Sequence, residues 1–376
     1  MKIVALKERA EGETRAAISP EVTKLYIKKG HIVFIEKDIG ALCGYTNEAY
    51  KESGAEISAV PLEIISDADI ILKVQPTPLI DQINEIDLAK PKAIIIGLLS
   101  PSSNSQYISK LASKNLSALS MELVPRITKT QNMDVLSSQS NLAGYRAVLE
   151  ASYHFDRAFP MMMTAAGTIT PAKVLIIGVG VAGLQAIATA KRLGGAVSAY
   201  DVRSATKEQV ESLGAKFITP DNTENLEDKS GYAKEVSSDY KAKQEQFLAN
   251  LVKNFDIIIT TAQIPGKKAP ILVTSDMIKS IKSGSVIVDM ATSSGGNVEG
   301  SKMDAIVTVN NVKIIGWSNM ASRIAADSSK LYAKNLYNFL EHAINKEKFN
   351  FEDEIVKQML LIRDGKAINE QFKGML

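Results

Sequence analysis

A glycine pattern near the middle of the chain constrains the fold more than any other feature. From Lys173 the sequence reads KVLIIGVGVAGL, which places Gly178, Gly180 and Gly183 between an apolar, β-branched run and a helical run that continues to Leu193. A strand, a glycine turn and a helix in this order begin a parallel sheet, and the helix N-terminus then faces a phosphate with unpaired N–H groups. The pattern predicts a Rossmann-type dinucleotide site.

The residues around the glycines indicate which nucleotide binds. Gly178 permits the tight turn, Gly180 lets the backbone approach a pyrophosphate, and Gly183 lets the helix lie close to the sheet. A second apolar run ends at Asp201, 23 residues after Gly178. Its carboxylate is expected to bind an adenine-ribose 2′-hydroxyl and to repel a 2′-phosphate, which predicts NAD(H) rather than NADP(H). The other residues predicted to bind the nucleotide here are Val181, Ala182, Val202 and Arg203.

Two later loops are candidates to complete this pocket, because open α/β sheets bind ligands at the carboxyl ends of their strands. One begins at Gln263 and reads QIPG, and the other covers residues 291–296. Ordinary turn chemistry explains the loops equally well, and a surface charge explains Arg203. A polar stretch over residues 220–246 is either a surface loop or a lid.

Short apolar runs alternate with helical patterns over nearly the whole chain, which is typical of βαβ units. A length of 376 residues is more than one ordinary core needs. We predict an α/β protein with two Rossmann-like, doubly wound parallel-sheet domains joined by crossing helices. The first is discontinuous, residues 1–136 plus 322–376, and the second, residues 137–321, binds NAD(H). The predicted strands are residues 2–6, 32–36, 70–74, 93–98 and 118–121, then 174–177, 196–200, 216–218, 256–261, 285–290 and 312–317.

Charge and residue content exclude several classes of function. Lys plus Arg number 44 and Asp plus Glu number 42, so a net charge of +2 provides no general attraction to nucleic acid. Cys43 is the only cysteine, and the three histidines lie far apart at His31, His154 and His342, so we predict no metal site. A signal-peptide pattern and a run of about 18 apolar residues are both missing from the sequence, which favours a cytoplasmic chain without a membrane span.

Residues 122–145 form a second chemically dense segment, with the sequence ELVPRITKTQNMDVLSSQSNLAGY. Arg126, Gln131, Asp134 and Ser137 supply a guanidinium, an amide, a carboxylate and a hydroxyl group. Such groups can hold a carboxamide and a ribose, but none is an obvious proton donor. A dehydrogenase that acts on a hydroxy or amino acid would need an acid or base and a cation for the carboxylate.

The sequence strongly resembles the soluble NAD(H)-binding components of proton-translocating nicotinamide nucleotide transhydrogenases, the alpha-1 subunits of the bacterial form with divided subunits. The resemblance covers essentially the whole chain. It is carried by GETRAAISPE, SSQSNLAGYRAV, FPMMMTAAGT, GVGVAGLQAIATAKRLG, DVRSATKEQVESLG, GYAKEV, IPGKKAP and RIAADSSKLYAKNLYNFL. It implies that Arg126 contacts the cofactor, that Gln131 lies closest to the second nucleotide, and that Asp134 fixes the ribose and carboxamide surroundings with Ser137 alongside. Tyr232 would lie on a mobile loop that closes over bound nucleotide.

The reaction implied by the resemblance is direct hydride transfer between NAD(H) on this chain and NADP(H) on a partner subunit. Such a transfer brings two nicotinamides into near contact and needs no general base. The implied partners are a second copy of the chain in a homodimer, an NADP(H)-binding subunit and a proton-conducting membrane subunit. The chain would be active only with them and would lie peripherally on the cytoplasmic face of the inner membrane.

Alanine dehydrogenase, a sibling family with a similar fold and fingerprint, is the main alternative. Its substrate-binding cations are matched by Arg15 and Lys73. However, the strand expected to deliver its catalytic histidine reads AIIIGLL, and Ser293 stands where that family has an aspartate. Both departures argue against amino-acid oxidation, although Ser293 also departs from the acidic residue common in transhydrogenases. A noncatalytic NAD-sensing module is a third hypothesis.

Overall fold

The computed structural model describes residues 1–80, 84–220, 238–263, 266–346 and 348–373. The chain divides into two compact units. Unit 1 comprises Met1–Gln139 and Ala321–Leu376, and unit 2 comprises Ser140–Met320.

The strands, in chain order, are β1 (Lys2–Ala5), β2 (Ile32–Glu36), β3 (Glu56–Ser58), β4 (Ile70–Leu72), β5 (Ile94–Gly97), β6 (Ser117–Ser120), β7 (Met162–Thr164), β8 (Gly167–Ile169), β9 (Lys173–Ile177), β10 (Ala196–Tyr200), β11 (Lys216–Phe217), β12 (Ile257–Thr260), β13 (Val286–Asp289), β14 (Ile306–Val309), β15 (Val312–Ile315), β16 (Ile344–Asn345), β17 (Lys348–Phe349), β18 (Leu360–Arg363) and β19 (Lys366–Ala367).

The α-helices are α1 (Pro20–Lys28), α2 (Asn47–Glu52), α3 (Pro61–Ile65), α4 (Glu85–Leu88), α5 (Ser105–Ser113), α6 (Val135–His154), α7 (Val181–Arg192), α8 (Lys207–Ser212), α9 (Ser238–Val252), α10 (Ser275–Ser280), α11 (Ala325–Ala343), α12 (Glu354–Met359) and α13 (Glu370–Lys373). Short 3-10 helices cover Ala41–Cys43, Met121–Leu123, Thr128–Met133, Ser204–Thr206, Thr292–Ser294 and Ser322–Ile324.

Unit 1 is built on a sheet with the strand order β19-β18-β6-β5-β4-β1-β2-β3. Strands β1 to β6 are parallel, and β18 and β19 add an antiparallel edge. Along β1, Ile3 and Ala5 pack into one buried cluster while Val4 packs into another. Successive side chains of a strand point to opposite faces, so both faces of this sheet are covered by apolar side chains.

Unit 2 has the strand order β11-β10-β9-β12-β13-β15-β14, in which the first five strands of the unit's sheet are arranged as the first five of unit 1 are. The central strands are parallel and β14 pairs antiparallel with β15 at the edge. Val174 and Ile176 of β9 enter one buried cluster, and Leu175 and Ile177 enter the other. The direction of the strand order reverses at β9 and β12, which is where doubly wound sheets bind nucleotides.

The predicted fold class is confirmed, and each predicted strand is present. The structure adds strands that the sequence did not indicate, namely β3, β14, β18, β19 and the two hairpins β7–β8 and β16–β17. Most of these are short or partly exposed, and β18, although largely buried, reads LLIR with a single β-branched residue. They therefore lack the continuous buried β-branched run that marks the central strands. None of the helices within the described ranges is long and apolar enough to cross a membrane.

Candidate functional site

The glycine turn of unit 2 joins β9 to α7 and requires glycine at two of its three positions. Gly178 has φ +97°, in the left-handed region, and a Cβ there would lie 2.7 Å from the Thr261 hydroxyl oxygen. A Cβ on Gly183 would lie 2.0 Å from the carbonyl oxygen of Gly178. A side chain at either position would push α7 away from the ends of β9 and β12. The two glycines therefore fix the position of the helix N-terminus.

At Gly180 neither the backbone conformation nor a steric contact requires glycine. Its backbone is extended (φ −83°, ψ −165°), a conformation that other residues adopt. An added Cβ would meet no atom of the described residues within 4 Å. Gly180 and Val181 are exposed and Ala182 is half-buried, and the first turn of α7 has no side-chain cap and no acidic residue. Unpaired N–H groups and the helix dipole both favour an anion at this position. This end of α7 therefore has the features of an anion-binding helix N-terminus.

A fourth glycine, not singled out by the sequence, lies in the helix that packs against this turn. A Cβ on Gly144 of α6 would lie 2.1 Å from the carbonyl oxygen of Ala182 in the first turn of α7. Close by, the Asn141 side-chain amide donates to the side-chain oxygen of Gln185 at 3.3 Å. Only glycine allows the two helix backbones to approach this closely. The one available signal was a glycine within a helical sequence pattern.

Replacing Gly144 with alanine is expected to destabilise the chain by about 1–3 kcal/mol, because the methyl group overlaps a backbone atom that cannot move without shifting α7. At an ordinary position in the middle of a helix the same change stabilises by roughly 1 kcal/mol, so the sign of the effect identifies the contact. Thermal and urea unfolding of the purified chain measure it. A stabilised variant would contradict the close approach.

Asp201, at the end of β10, closes the turn from the opposite side. Its Oδ2 accepts a hydrogen bond from the backbone N–H of Val179 at 2.6 Å. Oδ1 accepts from the backbone N–H and Nε of Arg203 at 2.8 and 2.9 Å, and Nη2 of Arg203 donates to Oδ2 at 2.7 Å. The Arg203 guanidinium is thus paired with Asp201, which is 7% exposed. Each carboxylate oxygen of Asp201 thus already accepts two hydrogen bonds, so a further donor would have to displace one of these partners.

The loops after β12 and β13 are joined by two buried polar residues that the sequence reasoning missed. Asp289 is fully buried and accepts backbone N–H bonds from Ala291, Asn297 and Val298 at 3.0–3.1 Å. The Asn297 side chain accepts from the backbone N–H of Ala262 at 3.1 Å and donates to its carbonyl oxygen at 2.9 Å. This pair holds the loop after β13 against the loop after β12.

The predicted loop residue Gln263 is exposed and donates through Nε2 to Ser294 Oγ at 2.5 Å, which again joins the two loops. Ser293 is exposed in the 3-10 helix Thr292–Ser294. The Thr261 hydroxyl donates to the carbonyl oxygen of Gly178 at 2.8 Å, so the loop after β12 also contacts the glycine turn. Val202 is half-buried beside Asp201 and packs on a core cluster of unit 2.

The remaining predicted site residues within the described ranges belong to unit 1. Asp134 precedes α6 and accepts from the backbone N–H and the hydroxyl of Ser137, at 2.9 and 2.6 Å. Asp134 is thereby the N-terminal cap of this helix, and both residues are half-buried. Arg126 and Gln131 are exposed, the latter in the 3-10 helix Thr128–Met133. Tyr232 lies outside the described residues.

Arg15 and Lys73 lie in a buried charged cluster of unit 1. The Arg15 guanidinium donates to both carboxylate oxygens of Glu13, at 2.8 and 2.6 Å, and to the side-chain oxygen of Gln139 at 2.8 Å. Lys73 is fully buried, with Nζ 3.4 Å from a carboxylate oxygen of Glu8. Burial raises the pKa of Glu8 even though the charge of Lys73 opposes that shift. Both cations are therefore paired with carboxylates of the same unit.

The histidines do not form a site together. His342 lies 2.9 Å from Asp353, which caps α12, and His31 is buried. His154 lies at the end of α6 in unit 2, 3.8 Å from Glu150. The end of β5 carries Gly97 followed by Leu98. Within the described ranges, His, Cys, Asp and Glu form no group of three or more that could hold a metal ion.

Comparison with known protein families matches both halves of the chain. The model described as alanine dehydrogenase/PNT, N-terminal domain, covers residues 4–143. The corresponding C-terminal domain model covers residues 147–370.

Curated relatives match the chain over nearly its full length. It is 64% identical over 369 residues to a Rickettsia prowazekii protein named as the first part of NAD(P) transhydrogenase subunit alpha, which covers 98% of this chain and 96% of the relative. The protein of that name from Rhodospirillum rubrum is 49% identical over 382 residues, covering 100% and 99%. An alanine dehydrogenase of Methanococcus maripaludis is 28% identical over 316 residues, covering 83% and 77%.

Solved structures of a transhydrogenase and of an alanine dehydrogenase also match the chain. The crystal structure of transhydrogenase from Sinorhizobium meliloti has a TM-score of 0.88 and 44% identity, covering 98% of this chain and 100% of that chain. A structure of L-alanine dehydrogenase has a TM-score of 0.84 at 21% identity and shares the fold.

Proposed function

Because the chain belongs to the alanine dehydrogenase/PNT family, we propose that it is the NAD(H)-binding component of a proton-translocating transhydrogenase. The relatives named as transhydrogenase alpha subunits support this assignment, since they match the chain over almost its entire length. The alanine dehydrogenase of Methanococcus maripaludis matches 83% of the chain at 28% identity, and the L-alanine dehydrogenase structure is 21% identical.

The observation that carries the proposal is the open, uncapped N-terminus of α7 at Gly180. In the proposed complex with NAD(H), the N–H groups of this turn bind the pyrophosphate, and Asp201 binds the adenine ribose after Arg203 moves aside. The charge of Asp201 disfavours a 2′-phosphate.

Titration of the chain with NADH and with NADPH tests this preference, with binding monitored by the fluorescence of the reduced nicotinamide. NADH should bind at least about tenfold more tightly than NADPH, and equal affinities would contradict the role of Asp201.

Bound nicotinamide supplies the hydride chemistry, passing a hydride directly to or from NADP(H) on a partner subunit. The role of this chain is to bind and orient, because direct transfer requires no acid or base. We propose that Arg126 and Gln131, which are exposed, face the reacting nucleotides. Asp134 caps α6 through Ser137 and so fixes the C-terminal end of the segment that carries them.

Amino-acid oxidation is the second candidate, because Arg15 and Lys73 match the cations that bind substrate in the alanine dehydrogenases. Both are, however, paired with carboxylates of unit 1. Against it, the segment AIIIGLL that contains β5 has no histidine, and the loop after β13 carries Ser293 where an aspartate is expected. Alanine-dependent reduction of NAD by the chain alone would establish this alternative. The transhydrogenase proposal expects no such reduction.

We also propose that the chain forms a homodimer, in a complex with an NADP(H)-binding subunit and a proton-conducting membrane subunit, peripheral on the cytoplasmic face. The hairpin β7–β8 in unit 2 supports the homodimer. Its two strands pair only with each other among the described residues, and all of their residues are exposed. An isolated two-stranded hairpin is marginally stable. Met162 and Ile169 pair across the two strands and so lie on one face, and adjacent exposed apolar side chains of this kind indicate a protein interface.

Replacing both Met162 and Ile169 with glutamate is therefore expected to convert the dimer to a monomer, because burying two carboxylates in an apolar interface is strongly unfavourable. Light scattering coupled to size-exclusion chromatography measures the mass. Met303, 61% exposed elsewhere in unit 2, provides the matched control as Met303→Glu, which should remain dimeric. A wild-type chain that runs as a monomer at every concentration would refute the proposed dimer.

A further inference from the structure

One backbone carbonyl in the segment before α6 accepts two side-chain hydrogen bonds from the same helix. The carbonyl oxygen of Asn132 accepts from Nδ2 of Asn335 and from Nδ2 of Asn338, both at 2.8 Å. The two asparagines are three residues apart on α11, so their side chains lie on one face of the helix. Both acceptor positions of this carbonyl are thus used by α11.

The same face of α11 also fixes the residues that follow. Ser138, in the first turn of α6, donates its hydroxyl to the side-chain oxygen of Asn335 at 2.7 Å. Met133 and Val135 are buried in a core cluster that includes Leu336 of α11. The backbone from Asn132 to Ser138 is therefore held to α11 by both polar and apolar contacts.

The neighbouring Gln131 side chain, by contrast, is exposed. It immediately precedes the doubly bonded Asn132, so the path of the backbone at Gln131 depends on where α11 holds the next carbonyl group. Hydride transfer is sensitive to misplacement of the reacting groups by about 1 Å, which can cost on the order of 100-fold in rate. A fixed backbone with an exposed functional side chain is the arrangement that such a reaction needs.

We propose that Asn335 and Asn338 are positioning residues that hold the segment carrying Arg126 and Gln131 in its productive conformation through the carbonyl group of Asn132. This proposal rests on the proposed transhydrogenase function. It gives α11 a role in the geometry of the reaction, although Asn335 lies 203 residues after Asn132 along the chain.

The experiment compares the full-length chain with Asn338→Leu, with the double variant Asn335→Leu/Asn338→Leu, and with Asn338→Gln, which keeps an amide donor. Lys330→Leu is the matched control, because it places the same side chain at an exposed position of α11. Stopped-flow hydride transfer to the NADP(H)-binding subunit and NADH affinity are measured for each. Hydrogen exchange at the backbone amides of residues 126–134 is measured on the chain alone.

We expect Asn338→Leu to slow transfer about tenfold and the double variant to slow it further, with the NADH dissociation constant changed less than about threefold. Amide exchange in the segment should become faster, and Asn338→Gln should restore most of the rate. Unchanged exchange and rate in Asn338→Leu, or equal losses of rate and affinity, would overturn the positioning role. Absence of transfer by the wild-type chain would instead contradict the proposed function, and the exchange measurement would still test whether α11 holds the segment.

Discussion

Gly180→Ala is expected to weaken NADH binding by roughly 10- to 100-fold while leaving the melting temperature of the chain unchanged or slightly higher. The backbone at Gly180 is extended and suits any residue, and the added methyl group would contact no described atom. Replacing glycine at such a position reduces the entropy of the unfolded chain and stabilises by about 0.4–1 kcal/mol. The methyl group would instead occupy the space proposed for the pyrophosphate. NADH titration and thermal unfolding of the same preparation measure the two effects.

Gly178→Ala provides the contrast within the same turn. Gly178 has φ +97°, and the new methyl group would collide with Thr261, so this variant should lose stability by about 1–3 kcal/mol or more. Two neighbouring glycines would thus give opposite results in unfolding. Wild-type NADH affinity in Gly180→Ala would show that the nucleotide does not approach this turn.

Gln131→Ala is expected to slow hydride transfer in the assembled complex by roughly 100-fold, with NADH affinity changed less than about threefold. The side chain is exposed in the 3-10 helix Thr128–Met133, so its removal leaves no cavity in unit 1. A residue that orients the two nucleotides acts on the rate of transfer more than on the binding of one of them. Single-turnover kinetics with the partner subunit, together with NADH titration of the chain alone, separate the two quantities.

Lys129→Ala is the control for this experiment, because Lys129 is exposed in the same 3-10 helix. It should leave both quantities near their wild-type values. Equal losses of rate and affinity in Gln131→Ala would mean that Gln131 serves binding only. A normal rate would remove it from the reaction.

The glycine turn shows why much of the fold could be predicted from the sequence. The left-handed backbone of Gly178 and the close contact of Gly183 with the Gly178 carbonyl group are local features of the chain. Buried parallel strands such as β9 and β12 are continuous apolar runs. The resemblance to the transhydrogenases, based on long matching segments, is confirmed by the full-length relatives and by the family models. Edge strands were missed because β14 and β19 depend on a neighbouring strand rather than on a strong pattern of their own.

The candidate site was less predictable where it depends on tertiary contacts. The close approach of Gly144 to Ala182 joins two helices, and a glycine within a helical pattern does not by itself indicate which element it contacts. Asp289 and Asn297 organise loops through backbone groups that come together only in the folded sheet. The sequence does not distinguish a nucleotide contact from a surface charge at Arg203, because its pairing with Asp201 depends on the turn after β10. The roles of Arg126, Gln131 and Asp134 came from the family resemblance and stay predictions.

Direct transfer between two nicotinamides is tested most directly with NADH that carries deuterium at the transferable position of its ring. The wild-type chain is mixed with the NADP(H)-binding subunit and NADP⁺, and the label is located by mass spectrometry. We predict that the deuterium appears in NADPH, with none lost to water, and that the chain alone transfers no label to any acceptor. Label lost to solvent, or alanine-driven reduction of NAD by the chain alone, would contradict direct transfer.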